Sequence, residues 1–252
     1  MSNPFGNLTN DGLTETEDRL GGGYQPLETD LYTGVIKAFY AGKSKSSDAR
    51  NVSVLFQVGD KEYRETIYVT NKKGENWFLN KEDNTKKVPL PGFTTIDDIC
   101  LAATGQALAD QAWEEKTIKL YDYDLKKEVP TVVMMAVDVI GKTVSLGIQK
   151  ILENKGEKQA DGSYEPGPET REINSIVKAF HTETKMTMAE ARAGKEAGEF
   201  WDQWVEKNKG VVRDNRKIKD GQAGSVAGKA APKSGAAAGA AAAPRKSLFN
   251  KG

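Results

Sequence analysis

The chain has 252 residues, 38% of them hydrophobic, enough to bury the core of one large or two small folded units. Its 36 basic and 36 acidic side chains cancel, so net charge alone singles out no partner. A single cysteine, Cys100, excludes an internal disulfide framework and suits a reducing cytoplasm.

No apolar run approaches the roughly 18 residues that argue for a membrane span. The opening MSNPFGNLTNDGLTETEDRL has neither the basic nor the apolar part of a secretory leader, so a soluble intracellular protein is expected. The charges are unevenly spread. From Lys207 onward, 11 lysines and arginines face only Asp214 and Asp220, a net of +9, which leaves −9 for residues 1–206. Within that acidic body residues 30–90 stand apart, with 11 basic and 8 acidic side chains. The molecule is charge-segregated.

Residues 1–29 read as an N-terminal arm, with Thr14 and Glu17 in a capping-box spacing and Gly21-Gly22-Gly23 ending any short helix. Residues 30–80 read as a meander of three or four strands. TGVIKAFY is rich in β formers, AGKSKSSDAR is a basic loop, VSVLFQV runs to a Gly59-Asp60 turn, and WFLN follows the turn NKKGEN. In KEYRETIYVT, Lys61, Tyr63, Glu65, Ile67 and Val69 fall on one face and Glu62, Arg64, Thr66, Tyr68 and Thr70 on the other. Pro89 and Pro91 exclude VPLPGF from a central strand, and Thr95 is the expected cap of a helix with Asp97 and Asp98 in its first turn. Cys100 lies in that apolar helix and is expected to be buried and inert.

Beyond it, ALADQAWEE reads as a further helical segment, while KTIKLYDYD, VPTVVMMAVDVIG, KTVSLGIQKILEN and REINSIVKAFH read as strands, with residues 155–168 an exposed hairpin excursion. A helix capped by Thr187 carries Trp201 and Trp204 as core anchors. Residues 211–252 read as a basic, Ala/Gly-rich flexible tail, which from Gly221 on cannot bury enough apolar surface to fold, and its tip RKSLFNKG looks like a docking peptide. The expected fold is mainly β: an OB-like barrel over residues 30–210 with appended helices and a disordered tail.

The functional reading comes from residues 30–80, where rings are interleaved with cations. Aromatic side chains stack unpaired bases and lysines or arginines hold the backbone phosphates, which is the equipment of single-strand binding. The candidate DNA-binding residues are Lys37, Phe39, Tyr40, Lys43, Lys45, Arg64, Tyr68, Lys72, Lys73 and Trp77. Arg64 and Tyr68, on the polar face of their strand, rank ahead of Tyr63. Half of any strand's rings face the core, so some of the others serve packing.

Catalytic chemistry is not legible. The one histidine, His181, has no neighbouring cysteine or second histidine with which to build a metal site or a nucleophile–base pair. The run from Ala136 to Thr143 matches a relaxed phosphate-loop pattern, but its Val-Asp-Val-Ile interior favours strand and the sequence after it alternates with period two. A hairpin turn at Gly141-Lys142 accounts for it better. No cofactor and no metal are expected, and an enzyme such as a nuclease would need a carboxylate cluster that the sequence does not reveal.

Taken together, the opening NPF, the DRLGGGYQPLETDLYTG run, YVTNKKGENWF, KKVPLPGFTTIDDICL, GEFWDQWVEKNKGVVRD and the terminal KSLFNK resemble the single-stranded DNA-binding proteins of short-tailed bacteriophages that carry their own virion RNA polymerase. The resemblance spans almost the whole chain. It implies an OB-type barrel that binds single strands without sequence preference, serves phage DNA replication and recombination in an infected bacterial host, and acts with host RNA polymerase in late transcription through the C-terminal end. Arg245, Lys246, Leu248, Phe249 and Lys251 are the candidate partner-binding residues of that end, and they make the tip basic where bacterial single-strand binders have an acidic one. The alternative is a scaffold protein whose main activity is to dock on a polymerase through this tip.

Overall fold

The computed structural model describes residues 25–44, 46–122, 125–159 and 164–217. Among them ten strands and three helices follow in order: β1 (Asp30–Lys43), β2 (Arg50–Val58), β3 (Lys61–Tyr68), β4 (Trp77–Leu79), β5 (Lys87–Pro89), α1 (Pro91–Thr104), β6 (Trp113–Asp122), β7 (Lys127–Ala136), β8 (Thr143–Lys158), β9 (Tyr164–Phe180), α2 (Met188–Arg192), α3 (Phe200–Asn208) and β10 (Arg213–Asp214).

β1 is the spine. Along one edge it pairs antiparallel with β2 from Val35 to Lys43, and β3 adds to β2 through the turn at Gly59, whose φ of 56° suits glycine. Along its other edge β1 pairs first with β8, over Asp30–Val35, and then with β7, at Tyr40 and Ala41. β6 extends β7, β9 extends β8, and β10 runs parallel to β8 at Ile151 and Leu152. β4 and β5 form a separate two-stranded sheet. The fold is mainly β, and its large sheet is antiparallel apart from β10.

The expected barrel is not closed by its strands. β3 and β9, two of the edge strands of this sheet, share no ladder. α1 packs against both, and Ile96, Ile99, Cys100 and Leu101 on its inner side join Ile36, Phe39, Val54, Phe56 and Leu146 in the main core. One side chain spans the seam. Glu65 of β3 accepts hydrogen bonds from the Ile176 amide (2.6 Å) and the Ser175 hydroxyl (2.9 Å) of β9, and from Tyr63 Oη (2.7 Å) beside it. β9 pairs with β8 along one side only, which leaves outward amides such as that of Ile176 open to Glu65; a bulge lies beside it, since Gly147 pairs with Lys178 but Ile148 with Ile176, which leaves Val177 over.

α1 begins five residues earlier than a cap at Thr95 implies. Leu90 is its N-cap and Pro91 its first residue, where a missing N–H costs nothing and the fixed φ is already helical. The Thr95 hydroxyl instead donates to the Pro91 carbonyl, and Asp97 and Asp98 sit buried in mid-helix. Asp97 accepts from the Leu108 amide and Asp98 faces Lys178 at 3.6 Å. Burial raises the Asp98 carboxyl above its ordinary range, against the pull of Lys178 and Arg192. α1 meets β3 backbone to side at Gly92, where an added Cβ would stand 2.2 Å from the Tyr68 carbonyl oxygen. Gly92→Ala is therefore expected to cost about 1–3 kcal/mol, read as a lower urea midpoint, because the backbone must move to admit it.

Three other expectations change. ALADQAWEE contributes only a 3-10 turn at Leu108–Asp110 before β6 begins. Gly141 and Lys142 do turn the chain (Gly141 φ 78°), but β7 and β8 do not form a hairpin with one another; both lie along β1, which receives the Gly141 amide at the Ile36 carbonyl. No helix follows that turn, so the phosphate-loop pattern has no helix N-terminus to offer. The segment after Thr187 forms two helices, with Gly194 at φ 69° between them. The capping box of Thr187 and Glu190 is present, Trp204 is buried, and Trp201 packs edge-on to Phe180 at 5.2 Å. Cys100 is buried, as expected, and burial pushes its thiol well up. No helix among the described residues is long and apolar enough to cross a membrane. The readings of residues 1–24 and of the Ala/Gly-rich tail from 218 on lie outside the described residues.

Candidate nucleic-acid interface

The β1–β2–β3 meander presents one face to the core and one outward, as the period-two pattern of β3 requires. Tyr63 is buried and Ile67 partly so, whereas Glu62, Arg64, Thr66 and Tyr68 are exposed, Tyr68 by 52%. Cross-strand neighbours extend this outer face. Arg64 stands opposite Leu55, Thr66 opposite Ser53, to which it is hydrogen-bonded at 2.7 Å, and Tyr68 opposite Asn51. Lys37 is the extra residue of a bulge in β1 and is exposed beside the Leu55–Arg64 row.

One side of this face is walled by the β6–β7 hairpin. Val133 and Met135 of β7, with Ile118 and Leu120 of β6, pack on Ala38, Tyr40 and Leu55 in a second small core. The other side is formed by loops after β1 and β3, which are tied to each other by the Asp48 amide donating to the Lys72 carbonyl. Lys43 and Arg50 flank the first loop and Lys72 and Lys73 lie in the second, all exposed.

Their pairing is informative. On β8 and β9, four of the cations are matched: Lys150 with Glu28 and Glu172, Lys155 with Glu169, Arg171 with Glu153, Lys178 with Asp98. Arg50, Arg64, Lys72 and Lys73 have no carboxylate within 4.0 Å among the described residues. Lys43 differs. It is paired with Asp48 at 2.8 Å, and this hydrogen bond holds the Asp48 carboxyl below its ordinary range.

Of the residues expected to touch DNA, Arg64, Tyr68, Lys72, Lys73 and Lys37 are exposed on or beside this face. Phe39 is not: it is fully buried in the main core and packs against Trp113 with ring centroids 6.3 Å apart. Tyr40 is half-buried in the contact with the β6–β7 hairpin. Trp77 belongs to the separate β4–β5 sheet rather than the meander, and Lys87 Nζ sits 3.9 Å from its ring centroid. Lys45, Arg245, Lys246, Leu248, Phe249 and Lys251 lie outside the described residues. Arg50 was missed by sequence reasoning, although its place at the first residue of a strand directly after a basic loop was the available signal.

Where the end of β1 and the start of β2 meet the start of β6, a cavity of about 460 Å³ opens. Its walls are mainly apolar, with Trp113, Phe93, Met134 and Val52, and Arg50, Asn51, Thr70 and Asn76 supply polar groups. Elsewhere His181 is occupied locally, its Nδ1 3.0 Å from the Thr184 hydroxyl, with burial lowering its pKa. Among the described residues no group of three or more His, Cys, Asp or Glu side chains is placed to hold a metal ion. No protein-family model matches the chain, and no curated protein matches it.

Proposed function

We propose that the protein binds single-stranded DNA without sequence preference and without catalysing a reaction, and that the outer face of β1–β3 is where the strand lies. The observation that carries this reading is the exposed ring of Tyr68 on an open polar strand face with Arg64, beside Arg50 at the start of β2 and Lys72 and Lys73 in the following turn, none of which has a carboxylate partner among the described residues. A ring on such a face stacks any base, and cations without carboxylate partners exchange water and counterions for phosphates. In this reading β1, β2, β3, β8 and β9 correspond to the five strands of an OB-like fold, which is itself a partly open barrel that binds oligonucleotides on the face of its second and third strands. α1 and Glu65 span the opening.

The resemblance to the single-strand binders of short-tailed phages that carry a virion RNA polymerase extends the proposal. The protein would act in phage DNA replication and recombination in the cytoplasm of an infected bacterium, and its basic tip, with Leu248 and Phe249 among Arg245, Lys246 and Lys251, would dock on host RNA polymerase in late transcription. Intrinsic tryptophan fluorescence titrated with oligo-dT, against a duplex of equal length, tests the central statement. Tyr68→Ala should weaken oligo-dT binding by about 1–3 kcal/mol and leave the urea midpoint unchanged, since the ring is half in solvent. Equal affinity for duplex and single strand would remove the proposal.

A further inference from the structure

We propose that the cavity between Trp113 and Phe93 takes one unstacked base of the bound strand, while Arg50 at its edge holds the adjoining phosphate. The inference rests on the single-strand reading above and adds to it a defined subsite off the open strand face.

Size and chemistry agree with a base. The volume of about 460 Å³ lies in the range of small-molecule sites and exceeds what one flat heterocycle needs. The walls are apolar and partly aromatic, while the side-chain amides of Asn51 and Asn76 make no hydrogen bond among the described residues. An amide can donate to or accept from the edge of any base, so two of them beside aromatic walls favour a base without choosing its identity. The subsite is also continuous with the proposed strand path, because Asn51 is the cross-strand neighbour of the exposed Tyr68.

Charge selects the occupant. The chain's own Leu248-Phe249 pair would suit apolar walls, but it comes with Arg245, Lys246 and Lys251. The edge already carries Arg50, which has no carboxylate partner among the described residues, and the neighbouring turn carries Lys72 and Lys73. A cationic peptide meets repulsion there, whereas a nucleotide brings the opposite charge.

The test uses the full chain labelled with 5-fluorotryptophan, its four fluorine resonances assigned by single Trp→Phe replacements. It is titrated with a short oligo-dT and with an abasic oligomer of the same length and charge. The Trp113 resonance should move with oligo-dT and stay still with the abasic strand. Ala109 lines the cavity from an exposed position, so Ala109→Trp fills it without cutting into the core. That variant should lose about tenfold in oligo-dT affinity and nothing in abasic affinity, the latter showing that the fold and the phosphate contacts are intact. If oligo-dT binds while Trp113 does not respond, or if Ala109→Trp binds oligo-dT like the parent, the subsite is wrong and the single-strand reading stands. If oligo-dT does not bind the parent chain, both fall. A peptide of residues 241–252 that shifts Trp113 where oligo-dT does not would give the cavity to the tail.

Discussion

Glu65→Ala is expected to lower the free energy of unfolding by about 3 kcal/mol in a urea titration at neutral pH. The side chain stands where two edge strands of the large sheet, β3 and β9, meet without a ladder. Its carboxylate is the acceptor for the Ile176 amide, the Ser175 hydroxyl and the Tyr63 hydroxyl at 2.6, 2.9 and 2.7 Å. Removing it leaves a buried amide and two hydroxyls without that acceptor, and unsatisfied buried donors cost far more than one hydrogen bond contributes. Ser175→Ala, which removes one donor and leaves the acceptor served, should cost about 1 kcal/mol or less. A loss below 1 kcal/mol for Glu65→Ala would mean that α1 alone holds β3 against β9.

The same group sets a pH dependence. Burial is the largest influence on Glu65 and lifts its carboxyl above the ordinary value of 4.5, while the hydrogen bonds from Ile176, Tyr63 and Ser175 pull it the other way. The folded protein therefore holds this proton more tightly than the unfolded chain does. Its contribution to stability is fully present below pH 4.5, falls as the pH rises through the raised folded value, and is constant above that. Glu65→Gln cannot titrate. Relative to it, the parent should lose stability across that window, and parallel curves for the two proteins would show that Glu65 does not titrate differently on folding.

Sequence reading succeeded where the pattern was local and failed where a distant segment decided. β3 alternates over eight residues with one buried face, so the exposure of Arg64 and Tyr68 and the burial of Tyr63 were legible. β1 does not alternate. Its bulge at Lys37 switches the parity, so that Ile36 and Phe39, three apart, both enter the main core. Phe39 therefore looked like a groove residue and is a packing one. The half-burial of Tyr40 was hidden for another reason: the β6–β7 hairpin that packs on it comes some 75–95 residues later in the chain. The start of α1 was within reach of local rules, since Pro91 is the better first residue of a helix than Thr95 is a cap. The opening between β3 and β9 was not, because it depends on where α1 lands. The cavity was equally hidden, since its walls come from β2, α1, β6 and β7.

Replacing Arg64, Lys72 and Lys73 together by alanine should have the largest effect on binding. Each phosphate neutralised on a single strand contributes about 0.7 to the slope of log affinity against log salt, so three lost contacts lower that slope by about 2. The affinity deficit should then be about two to three decades near 50 mM salt and shrink steadily as salt is added. The urea midpoint should not change, because all three side chains are exposed and no carboxylate lies within 4.0 Å of them among the described residues. Lys155 and Lys195 are the comparison. They are equally cationic but paired with Glu169 and Glu199 at 2.8 and 2.7 Å, and they belong to β8 and the α2–α3 connection rather than the meander. Their alanine variants should bind oligo-dT like the parent. A triple variant that weakens binding without changing the slope would point to a disturbed surface rather than lost phosphate contacts. If the slope drops only for Lys155 and Lys195, the strand runs along the β8–β9 side and the meander is not the interface.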